Sequence, residues 1–553
     1  MSHLSCAAQI AQTTSSAGKA LQAPDTQEDL SMSLKYDFAL MCPDVIAHNA
    51  RVNRDALAVV CEEQSLTWRE LDTETNRFAN VLGERGLGKG DKVALFMSSS
   101  LEAFLAFWGS AKAGCVTVPL NVMLDGESLV RLTEDSDAVA VVATATTEPV
   151  LDAVRDRLTS VRADLWLTFG STRKGWESVR ELMDASSATA PDVKIEPGDI
   201  ITILYTSGTT GHPKGVEHTH VSRMMYPYGF GMGLKVDRYS VAVLGTPPYA
   251  SGTWITMMPT MYRGGTVVIL PKFSAEAFLT AVERHRGTHA FLVPTQWIAI
   301  LEHPRAREFD AGSLQCLVTS GQPLADKTYE AIEGLFPDAG LHEVYGFSEG
   351  FATLRLPEDA RRGKRHSVGK PIMLDDLRVI DEQGTELPPG KTGEIVAHSI
   401  GMMTGYYKNP ELTSRTMWTS PDGRTFMRTG DLGHFDDDGF LYVSGRLKDM
   451  IKSGGINIFA ADIERVFMDH PDVSEAAAVG IPSPKWGETP VVAVICTPGS
   501  SIDPEHLRVW VNDQLAKYQR VSRVLIRHEL PRAVYGKVAK AALRKEIGTG
   551  ETI

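Results

Sequence analysis

The residues from 205 to 215 carry a dense group of side chains that suit a bound anion. They read Tyr-Thr-Ser-Gly-Thr-Thr-Gly-His-Pro-Lys-Gly and follow an apolar run at 201–204 that is typical of a buried strand. The glycines let the backbone approach a ligand closely. Backbone N–H groups, hydroxyls and the Lys214 ammonium can then converge on one anion. The pattern predicts a loop that holds the phosphates of a nucleotide.

Two familiar phosphate-binding motifs do not account for this loop. A Walker A loop needs Gly directly before the lysine, where this chain has Pro213. A dinucleotide fingerprint needs G-x-G-x-x-G after the strand, and none follows. A plain polar turn remains an alternative, because Gly, Ser, Thr and Pro are ordinary turn residues. The number of hydroxyls before Pro-Lys-Gly favours the phosphate-binding interpretation.

Five further motifs follow a fixed order along the chain. They are Thr-Trp-Arg-Glu-Leu at 67–71, Tyr-Gly-Phe-Ser-Glu at 345–349, Arg-Thr-Gly-Asp at 428–431, Gly-Arg-Leu-Lys-Asp at 445–449, and Pro-Arg through Gly-Lys at 531–537. With the 205–215 loop, they resemble the motifs of the adenylate-forming superfamily, which includes acyl-CoA synthetases, peptide-synthetase adenylation domains and beetle luciferases. The resemblance covers about residues 40 to 545 and is strongest for the acid–CoA ligase branch.

The resemblance implies ATP, Mg²⁺ and coenzyme A as cofactors and a small-molecule carboxylic acid as substrate. The loop residues would bind the β- and γ-phosphates, Ser348 the α-phosphate, and Asp431 the ribose diol, since both oxygens of a carboxylate accept hydrogen bonds. The implied cofactor-binding residues are Thr206, Ser207, Gly208, Thr209, Thr210, Lys214, Gly321, Gln322, Tyr345, Gly346, Ser348, Asp431, Arg446, Gly454 and Gly455.

Three residues are implied to take part in catalysis. Lys537 resembles the lysine that bridges the substrate carboxylate and the α-phosphate. Lys448 resembles the hinge about which the C-terminal domain rotates between adenylation and thioester formation. Glu349 would bind Mg²⁺, a hard cation that prefers oxygen ligands. Gly454 and Gly455 would let the pantetheine arm of CoA pass close to the backbone.

Residues 346–350 also read G-x-S-x-G, the nucleophile elbow of α/β-hydrolases. An elbow must open a substantial helix, and Pro357 ends the next segment within about two turns. A hydrolase would also have no use for the 205–215 loop. The hydrolase alternative is therefore disfavoured.

The acid pocket is the least determined part of the site. Tyr249, Ala250, Trp254, Trp297 and Phe347 are the candidate substrate-binding residues by position, although such residues more often belong to a core. The family commonly has an aromatic-His pair where this chain has Tyr249-Ala250. Loss of the imidazole enlarges the space, and this favours a medium-chain, aryl or alicyclic acid over acetate.

Composition places limits on the class of protein. The chain has 553 residues with a net charge of −13, which argues against a nucleic-acid partner bound through phosphate contacts. The six cysteines are scattered without a C-x-x-C pair, so a reducing compartment fits best, and we expect a cytoplasmic protein. No apolar run approaches the length of a membrane span. Whether the chain forms a homodimer is left open.

Alternating short apolar runs and helical segments predict an α/β fold with largely parallel sheets. We expect a disordered tail at 1–35 and a large N-terminal AMP-binding domain at 36–447. This domain would combine layered α/β sheets with a small β-barrel-like unit after residue 368. A small mobile α+β domain would follow at 448–553.

These observations together predict an AMP-forming carboxylic acid–CoA ligase. The alternative is a stand-alone adenylation enzyme that loads a carrier protein. A non-catalytic nucleotide-binding scaffold is a further alternative, and it would bind ATP without releasing pyrophosphate.

Overall fold

A computed structural model gives the structure of residues 41–170, 173–206, 213–373, 375–497, 499–532 and 538–548. The tail predicted at 1–35 lies outside them.

Most of the predicted apolar runs form strands. The strands are β1 (Leu57–Cys61), β2 (Gln64–Thr67), β3 (Lys92–Phe96), β4 (Val116–Pro119), β5 (Ala138–Ala143), β6 (Trp166–Thr168), β7 (Glu177–Ser178), β8 (Ile200–Thr206), β9 (Lys214–Thr219), β10 (Val241–Leu244), β11 (Thr266–Ile269), β12 (His289–Leu292), β13 (Cys316–Ser320), β14 (Gly340–Phe347), β15 (Phe351–Arg355), β16 (Lys370–Pro371), β17 (Asp376–Ile380), β18 (Gly393–His398), β19 (Gly405–Tyr406), β20 (Met417–Thr419), β21 (Thr425–Phe435), β22 (Leu441–Arg446), β23 (Ile451–Ser453), β24 (Ile456–Ile458), β25 (Val473–Ser483), β26 (Gly487–Cys496) and β27 (Arg523–Ile526).

Helices cover the sheets and connect their strands. The helices are α1 (Asp44–Val52), α2 (Trp68–Glu84), α3 (Leu101–Lys112), α4 (Gly126–Asp135), α5 (Glu148–Asp152), α6 (Val179–Ala185), α7 (His220–Arg223), α8 (Met225–Phe230), α9 (Trp254–Arg263), α10 (Ala275–His285), α11 (Pro294–Leu301), α12 (Asp326–Leu335), α13 (Pro357–Asp359), α14 (Pro410–Arg415), α15 (Ala460–Met468), α16 (Pro504–Asn512) and α17 (Lys540–Gly548).

Two large sheets form the layered α/β part. One has the order β16-β15-β14-β13-β12-β10-β11-β1-β2, and the other has the order β19-β9-β8-β4-β3-β5-β6-β7. Their central strands are parallel and read as continuous apolar runs, because helices cover both faces of such sheets. The predicted α/β fold class is confirmed.

The β-rich unit forms a third sheet, in which β21 is the central strand. β18 pairs with it on one side, while β20 and β22 pair with different stretches of its eleven residues. Its core also includes Val216 of β9 and Phe351 of β15. This unit is therefore packed directly against β9, which follows the predicted phosphate loop, and against β15.

The last sheet draws its strands only from residues after 450, in the order β24-β23-β26-β25 with β27 beside β26. Two apolar clusters within residues 451–547 pack against its faces. The strands β25 and β26 are the long strands of this sheet, and they pair with each other along almost their full length. This part is α+β, as the sequence predicts.

The first motif, at 67–71, marks the start of a helix. Thr67 caps α2: its hydroxyl accepts from the Glu70 amide, and the Glu70 carboxylate accepts from the Thr67 amide at 2.8 Å. This reciprocal pair satisfies two amides that the helix cannot pair internally. The motif is thus structural.

The length and apolar character of the helices bear on membrane insertion. Among the described residues, no helix combines the length and the apolar character needed to cross a bilayer.

Candidate active site

The ends of the predicted phosphate loop are held side by side. Thr206 ends β8 and Lys214 begins β9, and the two residues are partners in the antiparallel pairing of these strands. Ser207, Gly208, Thr209 and Thr210, which are predicted to contact the phosphates, lie outside the described residues. The strand pairing fixes the backbone position of Lys214, from which its side chain extends.

A tyrosine connects this lysine to the expected magnesium ligand. The Lys214 ammonium lies 5.0 Å from the centre of the Tyr406 ring. The hydroxyl of Tyr406 donates to Glu349 Oε1 at 2.9 Å. Burial, together with the Glu349 carboxylate, raises the pKa of Tyr406 well above its usual range, so this hydroxyl acts as a donor. The structure therefore brings Lys214 and Glu349, which are distant in sequence, to one place.

The predicted ribose-binding residues form a second connected group. Asp431 is almost completely buried, accepts from the Tyr345 hydroxyl at 2.9 Å, and has Arg446 Nε 2.9 Å from its other oxygen. Burial and the Asp431 carboxylate raise the pKa of Tyr345 well above its usual range. The Arg446 guanidinium also stacks over Phe347, 4.9 Å from the ring centre.

The G-x-S-x-G segment is a turn between two antiparallel strands. β14 ends at Phe347 and β15 begins at Phe351, and these two residues pair directly. A nucleophile elbow needs a helix after the serine, so this geometry excludes the hydrolase alternative. Gly346 is required here, since a Cβ atom would lie 2.3 Å from the carbonyl oxygen of Phe351.

Gly321 and Gln322 lie at the same end of the sheet as this turn. They directly follow β13, which runs parallel to β14 and pairs with it up to Ser320 and Val344. Both residues therefore lie at the same edge of the sheet as Tyr345 and Gly346. Ligands of α/β sheets commonly bind at this carboxyl edge.

The hinge candidate and the paired glycines are close together in the chain. Lys448 is exposed in a single 3₁₀ turn, Leu447–Asp449, between β22 and β23. Gly454 and Gly455 form the turn between β23 and β24, with positive φ angles of 58° and 80°. Lys537 lies outside the described residues.

The acid-pocket candidates separate into two groups. Trp297 is fully buried in the core, with its ring 6.2 Å from those of Phe278 and Phe336. This placement favours a packing role over the expected place in the acid pocket. Trp254 is also buried, and it packs against the rings of Phe107, Trp108 and Tyr226.

Tyr249 lies at the border between this core and a small apolar cavity. The cavity is lined by Leu95, Met97, Ala103, Phe104, Phe107, Trp108, Pro248, Tyr249 and Met257. Ala250 follows in a turn closed by its own amide, which donates to the Pro247 carbonyl at 2.9 Å. The small side chain at 250 thus lies next to an aromatic wall.

Tyr406 is a candidate site residue that the sequence motifs do not reveal. Its position in the two-residue strand β19, which pairs with β9 through Val216, places it beside Lys214. A tyrosine after a glycine carries no distinctive signal, so only the strand pairing reveals this residue.

The surroundings of Glu349 fit the predicted magnesium ion. One oxygen of Glu349 accepts from Tyr406, and a carboxylate has a second oxygen that can bind a cation. The described residues contain no group of three or more acidic, His or Cys side chains that could hold a metal ion. Mg²⁺ is usually bound by one or two carboxylates together with substrate phosphates, and these residues fit that mode.

Several of the predicted site residues lie at the carboxyl edge of an α/β sheet, where ligands of such sheets commonly bind. A family model described as AMP-binding enzyme matches residues 46–407, and one described as AMP-binding enzyme C-terminal domain matches residues 462–537. The chain belongs to this family of AMP-binding enzymes, the adenylate-forming superfamily, and to its acid–CoA ligase branch.

Similar proteins agree with this assignment. The long-chain-fatty-acid–CoA ligase FadD13 of Mycobacterium tuberculosis is 32% identical over 486 residues, which cover 87% of this chain and 93% of the relative. A feruloyl-CoA synthase of an Amycolatopsis species is 33% identical over 506 residues, covering 90% of this chain and 97% of the relative. The ATP-bound MatB of Rhodopseudomonas palustris has a TM-score of 0.81 at 28% identity, covering 92% of this chain and 99% of MatB. The predicted enzyme class, a carboxylic acid–CoA ligase, is confirmed.

Proposed function

We propose that this enzyme activates an apolar carboxylic acid with ATP and transfers the acyl group to coenzyme A. The observation that carries the proposal is that two polar groups, drawn from different sheets, each include a residue at the carboxyl end of β14. Lys214, Tyr406 and Glu349 form one group, with the 2.9 Å hydrogen bond between Tyr406 and Glu349 at its centre. Tyr345, Asp431 and Arg446 form the other.

The first step joins the acid to AMP. A carboxylate oxygen of the acid attacks the α-phosphorus of ATP, and the bond from that phosphorus to the bridging oxygen breaks as pyrophosphate leaves. Negative charge increases on the α-phosphate oxygens during attack, so cations and hydrogen-bond donors must face them. Mg²⁺, held by Glu349 and the phosphates, would supply part of that charge stabilisation when bound.

The side chains of this chain have distinct tasks in that step. Lys214 would neutralise phosphate charge at the end of the predicted phosphate loop. Asp431, held rigidly by Tyr345 and Arg446, would accept from the ribose hydroxyls and so fix the nucleoside. Ser348 would donate to the α-phosphate. Lys537 is proposed to bridge the two anions as they approach.

The second step forms the thioester. The thiol of CoA loses its proton and attacks the acyl carbon, and AMP leaves with the electrons of the broken C–O bond. We propose that the part after Lys448 rotates about that residue before this step, so that 36–447 and 448–553 act as two domains. The independent sheet and core of the last part support this division. The turn at Gly454 and Gly455 would then border the passage of CoA.

The substrate class follows from the acid end of the site. Ala250 leaves room beside Tyr249, and the neighbouring cavity is lined mainly by apolar and aromatic side chains. Such a surface favours an aryl, alicyclic or medium-chain acid over acetate. The name of the feruloyl-CoA synthase, an aromatic-acid ligase, supports the same class.

A screen of acids tests both the reaction and the substrate class. The purified enzyme with ATP and Mg²⁺ is given acids of graded size, and pyrophosphate and AMP release are measured with and without free CoA. We expect CoA-dependent AMP release with an apolar acid and little with acetate. Pyrophosphate release without CoA-dependent turnover for any acid would instead favour the enzyme that loads a carrier protein.

Two variants separate the half-reactions. Lys537→Ala should abolish adenylate formation but leave thioester formation from supplied acyl-adenylate largely intact. Lys448→Pro should do the reverse, because proline fixes φ at the hinge. Equal losses in both half-reactions for either variant would contradict these roles.

A further inference from the structure

A buried arginine, which has no carboxylate partner among the described residues, lies behind the Ser348–Glu349 turn. Arg223, at the end of α7, is 1% exposed. Within the described part of the chain, no carboxylate forms an ion pair with it, and its Nε has no hydrogen-bond partner. A buried charge that is not paired costs several kcal/mol. Chains keep such features mainly at functional sites.

The contacts of Arg223 lead to a single histidine. Its Nη2 lies 3.1 Å from His218 Nδ1, and its Nη1 donates to the Tyr226 hydroxyl at 3.2 Å. The guanidinium also lies 5.0 Å from the centre of the Trp254 ring, which offers a favourable π face. Because a guanidinium has no acceptor, His218 Nδ1 must be the acceptor in this contact.

This contact determines which nitrogen of His218 carries the proton. Burial, and secondarily the Arg223 charge, keep the pKa of His218 well below its usual range, so the ring is neutral. A neutral imidazole that accepts at Nδ1 carries its proton at Nε2. That nitrogen lies 2.5 Å from the carbonyl oxygen of Ser348 and donates to it.

The turn that contains Ser348 is held at three successive carbonyls. Gly350 N–H donates to the Phe347 carbonyl at 3.0 Å, and Met403 N–H donates to the Glu349 carbonyl at 2.8 Å. The Ser348 carbonyl, between them, is held by His218. Because a peptide unit is planar, fixing this carbonyl also fixes the Glu349 N–H on the opposite side.

We propose that His218, oriented by Arg223, is a positioning residue that fixes the Ser348–Glu349 turn for attack on the α-phosphate. The role rests on the proposed function, in which Ser348 and Glu349 act on the nucleotide. His218 is in the same strand, β9, as Lys214, so one strand supplies a phosphate contact at its start and the support of the turn near its end. Substrate does not touch His218 in this role.

Two substitutions at one position provide a matched test. His218→Gln places an amide N–H near the position of Nε2 and can still donate to Ser348. His218→Asn places its amide near the position of Nδ1, so it can contact Arg223 but does not reach Ser348. Both variants lose the imidazole from the same buried site, so a purely structural role predicts similar effects.

The expected readout is specific to one half-reaction. Adenylation is measured by ATP–pyrophosphate exchange, and thioester formation is measured from supplied acyl-adenylate. We expect kcat for adenylation to fall by about 10- to 100-fold in His218→Asn and to stay within about threefold of wild type in His218→Gln. Thioester formation should be unchanged in both variants.

Several outcomes would overturn the proposal. Equal losses in the two variants, equal losses in the two half-reactions, or no loss in His218→Asn would each contradict it. If the His218 variants do not fold, Arg223→Gln is used with the same two assays, and a loss outside adenylation or no loss contradicts the proposal. Failure of the wild-type enzyme to exchange pyrophosphate with any acid would refute the proposed function itself, and this result is distinct from the others.

Discussion

The proposed nucleotide end and the proposed acid end of the site are built in different ways. At the nucleotide end, polar side chains from distant segments are joined by direct contacts, such as those of Tyr345 and Arg446 with Asp431. At the acid end, the aromatic side chain of Trp254 packs into a continuous core with Phe107 and Trp108. A polar contact needs one residue type at one place, whereas apolar packing needs mainly volume. Substitutions at the nucleotide end should therefore cause large losses in one reaction step. Substitutions at the acid end should change activity in proportion to the change in side-chain volume.

The largest effect is expected at Glu349. Glu349→Gln keeps the shape of the side chain but removes the charge that would hold Mg²⁺. Adenylation should fall by about 10²- to 10³-fold, the usual loss when one group that stabilises transition-state charge is removed. Pyrophosphate exchange measures it, and the exposed Glu382→Gln serves as the control with unchanged activity. A Glu349→Gln enzyme with near-normal exchange would contradict the assignment.

Asp431→Asn should have the next largest effect. It weakens the predicted bonds to the ribose and leaves Arg446 without its charged partner. Hydrogen bonds to charged groups contribute about 1.5–3 kcal/mol, so KM for ATP should rise by about 10- to 100-fold. Initial rates over a range of ATP concentrations test this, while KM for the acid should stay the same. A change in KM for the acid alone would show that Asp431 does not bind the ribose.

At the acid end, Ala250→His restores the residue that the family commonly has. The larger side chain should reduce the space beside Tyr249 and lower kcat/KM for the largest accepted acids by about tenfold, while small acids are less affected. The acid panel used for the wild type provides the measurement, with KM for ATP as the internal control. A uniform decrease across all acids would show that residue 250 does not select by size.

Acid should destabilise the strands and helices around the nucleotide end. Burial lowers the pKa values of His220 and His342 to about 4 from 6.5. Between those values the unfolded chain binds protons that the folded chain does not, so stability falls as pH decreases. From pH 7 to pH 5 each histidine should cost about 2 kcal/mol. Asp375, whose pKa burial raises to about 6, opposes this in part.

Denaturant unfolding at the two pH values checks that prediction. The free energy of unfolding should be lower at pH 5, and His342→Gln should reduce the difference between the two pH values. Equal stability at pH 7 and pH 5 would show that the folded protein takes up these protons.

Trp297→Phe should have the smallest effect on activity. Trp297 packs against Phe278 and Phe336 in the core, so the smaller ring should cost about 1–3 kcal/mol of stability. KM for the acid should change by less than about twofold. Thermal melting measures the stability, and initial rates over a range of acid concentrations measure KM for the acid. A change in KM for the acid without a change in KM for ATP would show that Trp297 lines the acid pocket.

Particular residues show which site predictions rest on local chemistry and which rest on position alone. Tyr345, Asp431 and Arg446 stand in short motifs with fixed chemistry, and the structure brings all three together. Trp254 and Trp297 are pocket candidates only by position and residue type. Tryptophan occurs equally well in a core, and both side chains are buried there. No local pattern separates a core tryptophan from a pocket tryptophan.

The sequence alone determined the family and the α/β class, and it predicted the polar residues of the site, because hydroxyls, lysines and carboxylates at this spacing suit few chemical tasks besides holding a nucleotide. Only the tertiary structure placed Tyr406 within hydrogen-bond distance of Glu349, and His218 within hydrogen-bond distance of the Ser348 carbonyl. These contacts come from strand pairing and turns between segments that are distant along the chain. The tertiary structure also placed Trp297 between Phe278 and Phe336 in a packed core. Long-range pairing is set by packing of the whole chain, which local residue patterns do not record.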